Sequence, residues 1–399
     1  MYRLKQPMLL CIATLLLVTF IINMRPAGAA PPASTQASSC TSGRILLSPN
    51  PGSSEDILRG VVSLSYRNVW AVGQYTDNQD NTEKTLIEHW DGKSWNVVPS
   101  PDPGPSFNFL YGVAANSPTD IWAAGTYYSR KGGRTLIEHW NGTGWTVVPS
   151  PNVGSDFNNL YAVTAVSAND VWAVGNEINA KTQQNNTLIE HWNGGRWSVI
   201  TSPNPGTVEN ILQGVSVISA NDIWAVGNYS LTNEHNKTLI EHWNGTTWSV
   251  VSSPNVGKFS NVLNGVSAVS SNDIWAVGYN VASPGNVDLT LIEHWNGRNW
   301  KVVTSPSPSS SANYLNGVVA ISKTNVWTVG YTDKVGGSLI EQWDGTHWNV
   351  VVSKNEHNAG NVLMAVSADM LTDIWVAGFI IKEHQHELIF HTLVEHYCS

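Results

Sequence analysis

Glutamate followed directly by histidine recurs at corresponding places along this 399-residue sequence. An imidazole beside a carboxylate can ligate a metal ion or transfer a proton. Copies spread over separate strands cannot converge on one ion, because each ligand must lie about 2 Å from it. We therefore expect a structural role, in which Glu or His bonds a neighbouring turn or a tryptophan N–H. The pairs are Glu88-His89, Glu138-His139, Glu190-His191, Glu241-His242, Glu293-His294 and Glu395-His396, and Glu341-Gln342 departs from the pattern.

One other group has the spacing of metal ligands. His384 and His386 are separated by one residue and flanked by Glu383 and Glu387. A lone His-x-His in a loop supplies too few ligands for a specific site. The sequence therefore predicts no metal and no cofactor.

The spacing of the tryptophans shows that the chain is built from repeats, and these repeats must position any functional site. The 19 tryptophans form three series: Trp70, Trp122, Trp172, Trp224, Trp275, Trp327 and Trp375; then Trp90, Trp140, Trp192, Trp243, Trp295 and Trp343; then Trp95, Trp145, Trp197, Trp248, Trp300 and Trp348. The third Trp always follows the second by 5 residues, and a Gly or Ala follows the third by 17. All length variation falls between the first and second series. This is a repeated, packed unit with one tolerant loop, and its tryptophans are interpreted as packing between units.

Each repeat contains four short β-rich runs, such as 160–167, 171–175, 187–192 and 197–200. Asn193-Gly194 separates the last two, and Asn-Gly between apolar runs is a strong hairpin signal. The Asp or Asn two residues before the first Trp is interpreted as a turn former. Four antiparallel strands in about 50 residues are typical of a propeller blade. The predicted fold is an all-β, seven-bladed β-propeller of four-stranded blades over residues 43–399.

The chain ends favour a closed ring over a linear solenoid. Residues 43–48 have the pattern of a fourth strand with nothing before it, and residues 392–397 that of a third strand with nothing after it. The N-terminal strand would complete the last blade and remove an open sheet edge. Cys40 and Cys398 become neighbours in this frame, so we predict a disulfide, with two unpaired thiols as the alternative. Closing so long a loop would contribute on the order of 5 kcal/mol.

Two families share parts of this repeat. Residues 69–73 (VWAVG), then Trp90-Asp91-Gly92 and Trp95, resemble a kelch motif, with one glycine where the kelch repeat has two. Residues 263–267 (LNGVS), 273–275 (DIW) and 295–297 (WNG) are similar to tectonin or tachylectin-type repeats of sugar-binding propellers. Both resemblances cover residues 43–399 and imply a β-propeller. The copper site of the galactose oxidase class needs a Cys-crosslinked Tyr, and this sequence has no cysteine away from its termini.

The N-terminal sequence predicts where the protein is located, and its composition restricts the partners that it can bind. Arg3 and Lys5 precede an apolar run of 15 residues and a small-residue segment near Ala29, so residues 1–30 are predicted to be a cleaved signal peptide. Residues 31–42 are predicted to be a flexible linker. The protein is thus expected to be secreted, without an integral membrane span in the mature chain, an uncleaved anchor being the alternative. A net charge of −9 with 21 Lys and Arg excludes a basic nucleic-acid surface. We expect a monomer.

Function is expected where the copies differ. Because strand direction alternates, the variable segments 74–84, 126–134, 176–186, 228–237, 279–289, 331–338 and 379–391 share one face with the loops between repeats. The candidate ligand contacts on this loop face are Tyr75, Phe107, Tyr127, Tyr128, Arg130, Phe157, Tyr229, Phe259, Tyr279 and Tyr331. The sequence predicts a module that binds a glycan or a protein. The alternatives are a lyase or glycoside hydrolase, which scarce charge on the first strands disfavours, and a structural or adhesive surface protein.

Overall fold

The computed structural model describes residues 43–398, apart from 180, 233–234, 283–286, 334–336, 355–358, 370–372 and 385. The predicted signal peptide and linker, Cys40 and the side chain of Cys398 lie outside the described residues, so the disulfide stays a prediction. No helix within the described part of the chain is long and apolar enough to cross a membrane.

Strands make up the described chain, and their bounds follow the repeat. In chain order they are β1 Arg44–Leu46, β2 Asp56–Ser65, β3 Asn68–Thr76, β4 Glu83–Trp90, β5 Trp95–Val97, β6 Asn108–Ser117, β7 Asp120–Ser129, β8 Gly132–Trp140, β9 Trp145–Val147, β10 Phe157–Ser167, β11 Asp170–Ile178, β12 Asn185–Trp192, β13 Trp197–Val199, β14 Glu209–Ser219, β15 Asp222–Ser230, β16 Asn236–Trp243, β17 Trp248–Val250, β18 Ser260–Ser270, β19 Asp273–Val281, β20 Asp288–Trp295, β21 Trp300–Val302, β22 Asn313–Ser322, β23 Asn325–Thr332, β24 Ser338–Trp343, β25 Trp348–Val350, β26 Gly360–Ala368, β27 Asp373–His384 and β28 Glu387–Cys398.

The predicted division into seven separate four-stranded blades is wrong. The described strands form five four-stranded sheets and one eight-stranded sheet, which holds β14 to β21. In that sheet β16 and β18 pair in parallel at Asn236 and Ser260. Similar bridges occur elsewhere, as between Glu83 of β4 and Phe107, but there one partner lies one residue before the first strand of the next repeat rather than within it. The difference arises because β16 and β18 both extend as far as the bridging residues, and a pattern of strand propensities does not fix where a strand ends.

The two ends of the described chain meet in one sheet, of order β1-β28-β27-β26. Strand β1 pairs antiparallel with β28, with Arg44 opposite His396. The Tyr397 ring replaces the second Trp of the repeat and lies 5.8 Å from the Trp327 ring, centroid to centroid. A Cβ built on Gly43 would lie 2.0 Å from the Tyr397 ring. Glycine at 43 therefore allows the first described strand to pass this tyrosine.

Tryptophans pack between consecutive repeats, as the sequence predicts. The Trp70 ring lies 5.0 Å from the Trp140 ring and 5.7 Å from the Trp145 ring, centroid to centroid. Trp375 near the C-terminus packs in the same way against Trp90, at 5.6 Å. Such aromatic contacts contribute about 0.5–1.5 kcal/mol each beyond the area they bury. The tryptophans therefore stabilise the contact between repeats.

The Glu-His pairs are structural. His139 Nε2 lies 2.7 Å from Asp120 Oδ1, which also accepts a hydrogen bond from Trp122 Nε1 at 3.0 Å, and the His139 and Trp122 rings lie 4.2 Å apart. The residue interpreted as a turn former thus also joins a histidine to the first Trp. The glutamate of each pair is fully buried: Glu88, Glu138, Glu190, Glu241, Glu293, Glu341 and Glu395.

Candidate binding site

A β-bulge interrupts the first long strand of every repeat, always between a leucine and a Gly or Ala. In β2 the register shifts between Leu58 and Gly60, which leaves Arg59 as the inserted residue. A bulge turns the inserted side chain away from the regular alternation of the strand. The inserted residues are Arg59, Tyr111, Tyr161, Gln213, Asn264, Asn316 and Met364.

The small residue after each bulge permits close approach between neighbouring first strands. A Cβ built on Gly112 would lie 3.0 Å from the Cα of Ala162. A larger side chain there would push these strands apart. The constant Gly or Ala found in the sequence therefore sets the spacing of the bulges around a common centre.

The seven inserted side chains line one cavity of about 270 Å³, here called the axial cavity. It lies toward the end of the sheets that carries the variable segments. In β2, for example, Asp56 at the start of the strand pairs with Tyr75 near a variable segment, whereas Ser65 pairs with Asn68 at the opposite end. The bulge lies in the half of the strand that begins with Asp56. The variable segments and the axial cavity therefore belong to the same face.

Hydrogen-bond donors line one wall of the axial cavity. The Arg59 guanidinium carbon lies 5.4 Å from the centroid of the Tyr111 ring, and the Tyr111 and Tyr161 rings are 5.4 Å apart. Arg59 Nε donates to Gln74 Oε1 at 2.7 Å, and its two Nη atoms have no hydrogen-bond partner among the described residues. Burial lowers the pKa of Arg59 and raises the pKa values of Tyr111 and Tyr161. Arg59 remains charged, because an arginine guanidinium keeps its proton in proteins.

Two carboxylates affect the pKa of this cation. After burial, which lowers the pKa of Arg59, and Tyr111, which raises it, the negative charges of Glu55 and Glu83 also raise it, and burial raises the pKa of Glu83. None of them forms an ion pair of 4.0 Å or less with Arg59 among the described residues. The bulge of β2 thus carries an arginine on first strands where the sequence predicts scarce charge.

Amides line the opposite wall. Asn264 Nδ2 donates to Leu315 O at 2.8 Å, and Asn316 Nδ2 donates to Leu363 O at 2.8 Å. Each amide thus directs its donor to the next first strand and keeps an oxygen as an acceptor. The axial cavity therefore has a guanidinium and two hydroxyls on one side and amide groups on the other.

Four aromatic side chains, here called the aromatic cluster, lie beside the donor wall. Phe107 is 46% exposed, and its ring lies 6.1 Å from Phe109 and 5.5 Å from Tyr128. Tyr128 also contacts Phe157, at 5.6 Å, and Phe109 lies 6.3 Å from Tyr111 in the axial cavity. The structure thus brings together three of the residues predicted from sequence, Phe107, Tyr128 and Phe157.

A second group brings together the predicted Tyr279 and Tyr331. The Tyr314 ring lies between them, 4.8 Å from Tyr279 and 4.9 Å from Tyr331. The Tyr314 hydroxyl donates a hydrogen bond to the Asp288 carboxylate. Burial, followed by the charge of Asp288, raises the pKa of Tyr279. These hydroxyls remain protonated donors at neutral pH.

Other predicted residues lie elsewhere. Tyr75, Tyr127 and Tyr229 are partly buried and pack against hydrophobic cores. Phe259 contacts His235 at 5.2 Å, and Arg130 is exposed at the hairpin between β7 and β8. A role for these residues in binding stays a prediction.

The exposed hairpin with His384 and His386 shows one weak contact, in which His386 Nδ1 lies 3.6 Å from Glu383 Oε1. Among the residues that the structure describes, no three His, Cys, Asp or Glu side chains are placed to hold a metal.

Sequence reasoning missed the ring of bulge residues, although a signal was present. In every copy one residue varies between a constant leucine and a constant small residue: Leu58-Arg59-Gly60, Leu110-Tyr111-Gly112, Leu160-Tyr161-Ala162, Leu212-Gln213-Gly214, Leu263-Asn264-Gly265, Leu315-Asn316-Gly317 and Leu363-Met364-Ala365. A variable position inside a constant frame is where function is expected in a repeat protein. Regular alternation of side chains along a strand does not reveal that this position faces the cavity, because the bulge interrupts the alternation there.

No family model matches the chain, and no curated protein matches it in sequence. The chain is similar in structure to YCF48 bound to D1 peptide, with 14% identity, a TM-score of 0.54, and 90% of this chain and 95% of that chain covered. It is similar to a PL25 ulvan lyase bound to a GlcA-Rha3S saccharide, with 11% identity, a TM-score of 0.54, and 88% and 95% coverage. The β-propeller domain of the Trilobed protease from Pyrococcus furiosus gives 10% identity, a TM-score of 0.50, and 86% and 94% coverage.

These similarities, together with the repeated antiparallel sheets, show that the chain is a β-propeller with tryptophan-containing repeats. At such low identity they show the fold alone.

Proposed function

We propose that this protein is a binding module that holds a glycan or a protein segment at the axial cavity and the aromatic cluster. The observation that carries the proposal is that the most variable position within the constant frame supplies every side chain that lines one cavity. Packing alone would favour one repeated residue at equivalent positions, as it does for the leucine before each bulge. Seven equivalent positions that carry five different residue types (Arg, Tyr, Gln, Asn and Met) suit recognition of an asymmetric ligand.

The chemistry of the site supports binding of a polar ligand with an apolar face. Arg59 and the two tyrosines can donate hydrogen bonds, and the asparagines can accept them. The aromatic cluster offers apolar surface beside them, which is the usual combination in ligand sites. YCF48 and the PL25 lyase hold a peptide and a saccharide respectively, which supports both ligand classes as fold-level analogy only.

A second candidate is an enzyme of the lyase or glycoside hydrolase type. The observation that favours it is the charged group of Arg59, Glu55 and Glu83 beside the cavity, where the sequence predicted scarce charge. Release of unsaturated or reducing ends from polysaccharides would support this candidate. A structural or adhesive role on the cell surface is compatible with a module that binds its ligand without turning it over.

Three further parts of the proposal rest on sequence. Export rests on the predicted signal peptide at residues 1–30, and N-terminal sequencing of the mature protein tests it. The Cys40–Cys398 disulfide rests on their equivalent places in the repeat, and free thiols under non-reducing mass spectrometry would contradict it. The kelch-like or tectonin-like subtype rests on the quoted motifs.

Binding is tested with the purified full chain on glycan and peptide arrays, followed by titration calorimetry of the ligands found. We expect Arg59→Ala and Tyr111→Ala each to weaken binding by about ten-fold or more, since each removes a contact worth about 1–3 kcal/mol. The matched control is Arg67→Ala, since Arg67 lies in the turn between β2 and β3, at the opposite end of the same strand. Equal binding by all three variants would overturn the placement of the site.

A further inference from the structure

Charge around the axial cavity argues against an acidic ligand. Arg59 is the only charged side chain among the seven that line it. Two carboxylates, Glu55 and Glu83, are close enough to act on its pKa. Arg59 would attract an incoming anion, whereas these two carboxylates would repel it. The whole chain, at −9, adds further repulsion. An uncharged ligand avoids this conflict.

Hydrogen-bonding capacity selects among uncharged ligands. The cavity presents donors from Arg59, Tyr111 and Tyr161 on one wall and acceptors from Asn264 and Asn316 on the other. A saccharide hydroxyl both donates and accepts, so hydroxyls around one sugar ring can satisfy both walls. The volume of about 270 Å³ equals that of about nine water molecules at roughly 30 Å³ each. This is enough space for one sugar residue.

Only one strand continues the site with aromatic side chains. On β6 and the residue before it, Phe107, Phe109 and Tyr111 are alternate residues and face the same side. Phe107, at one end of this row, is exposed, and Tyr111, at the other end, lines the cavity. The corresponding first strands of the other repeats carry at least one aliphatic or polar residue at these three positions. A chain that leaves the cavity along β6 therefore meets aromatic side chains at three successive alternate positions of one strand, whereas β22 offers only Tyr314 at the corresponding positions.

We propose that the axial cavity takes the terminal residue of an uncharged glycan, and that the following residues leave over β6 against Phe109 and Phe107. This inference rests on the proposed function, because it names the ligand of the same site. The apolar faces of the second and third sugar residues lie on the aromatic side chains, while the terminal residue makes the polar contacts.

The test uses titration of the full chain with neutral gluco-, manno- and galacto-oligosaccharides of one to four residues, and with glucuronic and galacturonic oligosaccharides as acidic probes. We expect one neutral series to bind, with affinity rising from one to three residues and then levelling. We also expect less than a two-fold change in affinity between 50 and 500 mM salt, because screening acts on charged ligands.

Variants separate the two parts of the site. Phe107→Ala should weaken binding of the trisaccharide by about three- to ten-fold and leave the monosaccharide unchanged. Arg59→Ala should weaken both, and Arg67→Ala neither. Thermal unfolding of each variant shows whether it folds; Phe107, being half exposed, can be removed without opening the core.

The results distinguish failure of this inference from failure of the proposed function. Binding of acidic oligosaccharides alone, with affinity that falls as salt rises, would overturn the uncharged ligand and keep the binding module. Peptide binding without glycan binding would do the same. A trisaccharide unaffected by Phe107→Ala would refute the path over β6. If no array ligand depends on Arg59 or Tyr111, the proposed function fails as well.

Discussion

Asp56 occupies a buried position at which the other copies carry asparagine, and we predict that Asp56→Asn stabilises the protein at neutral pH. The equivalent residues are Asn108, Asn158, Asn210, Asn261, Asn313 and Asn361. In one of them, Asn210 Oδ1 accepts from Gly206 N at 2.6 Å while Nδ2 donates to Gly206 O at 3.0 Å and Asn185 O at 3.1 Å. Asp56 keeps only the first kind of bond, from Gly52 N at 2.7 Å. An ionised carboxylate has no proton for the others.

The magnitude follows from the pKa. Asp56 is 1% exposed, and burial, opposed by the Gly52 N–H and increased by the charge of Glu83, raises its pKa from 3.8 to about 6. A group that binds its proton more tightly in the folded state contributes most below its unfolded pKa, here 3.8. That contribution is lost as pH rises through about 6. About two pH units correspond to about 3 kcal/mol, and relaxation around the site reduces this. We expect Asp56→Asn to add about 1–3 kcal/mol at pH 7.5 and little at pH 4.

The assay is denaturant unfolding of the wild type and the variant at pH values from 4 to 8. The gain should appear as pH rises from about 4 to 7 and then level off. The reverse change, Asn210→Asp, is the matched control and should destabilise the protein progressively over the same pH range. The reasoning is refuted if Asp56→Asn is neutral or destabilising at pH 7.5, or if its effect is the same at pH 4.

Three other substitutions test a close contact, a buried carboxyl group and a hydrogen bond. Gly43→Ala should destabilise the protein by about 1–3 kcal/mol, since the added Cβ would lie 2.0 Å from the Tyr397 ring; an unchanged thermal midpoint would contradict this. Burial raises the pKa of Glu341 from 4.5 to about 8, so the stability contributed by its protonated form is lost as pH rises from about 4.5 through about 8. In denaturant unfolding, the gain of Glu341→Gln over the wild type should therefore grow over this pH range and then level off, and a gain that does not change with pH would count against it. Asp273→Ala removes the oxygen that lies 2.8 Å from His294 Nε2, and it should lower the free energy of unfolding by about 1–3 kcal/mol in calorimetry. Asp273→Asn, which keeps an acceptor oxygen, should lower it less, and an equal loss in both variants would show that the acceptor is unimportant.

The repeat shows why some sequence-based interpretations rest on stronger signals than others. Trp70 and its equivalents were assigned to packing because every copy carries them, and the ring contacts confirm this. Tyr75 is a candidate only because it is an aromatic residue in a variable segment, and the structure packs it partly against the core. Strand position decides between these outcomes, since neighbouring residues of a strand face opposite sides. A one-residue difference in position therefore separates a core contact from a cavity contact.

The sequence by itself determined the repeat, the short antiparallel strands, the turns and the tryptophan positions, because these follow from local propensity and from spacings shared by all copies. Tertiary structure decided how many separate sheets form, because the Asn236–Ser260 bridge depends on where β16 and β18 end. It also decided the axial cavity. Arg59, Tyr111 and Met364 lie far apart along the chain, and each is turned inward by a bulge that strand alternation does not reveal. Their convergence exists only when all the repeats are packed around one centre.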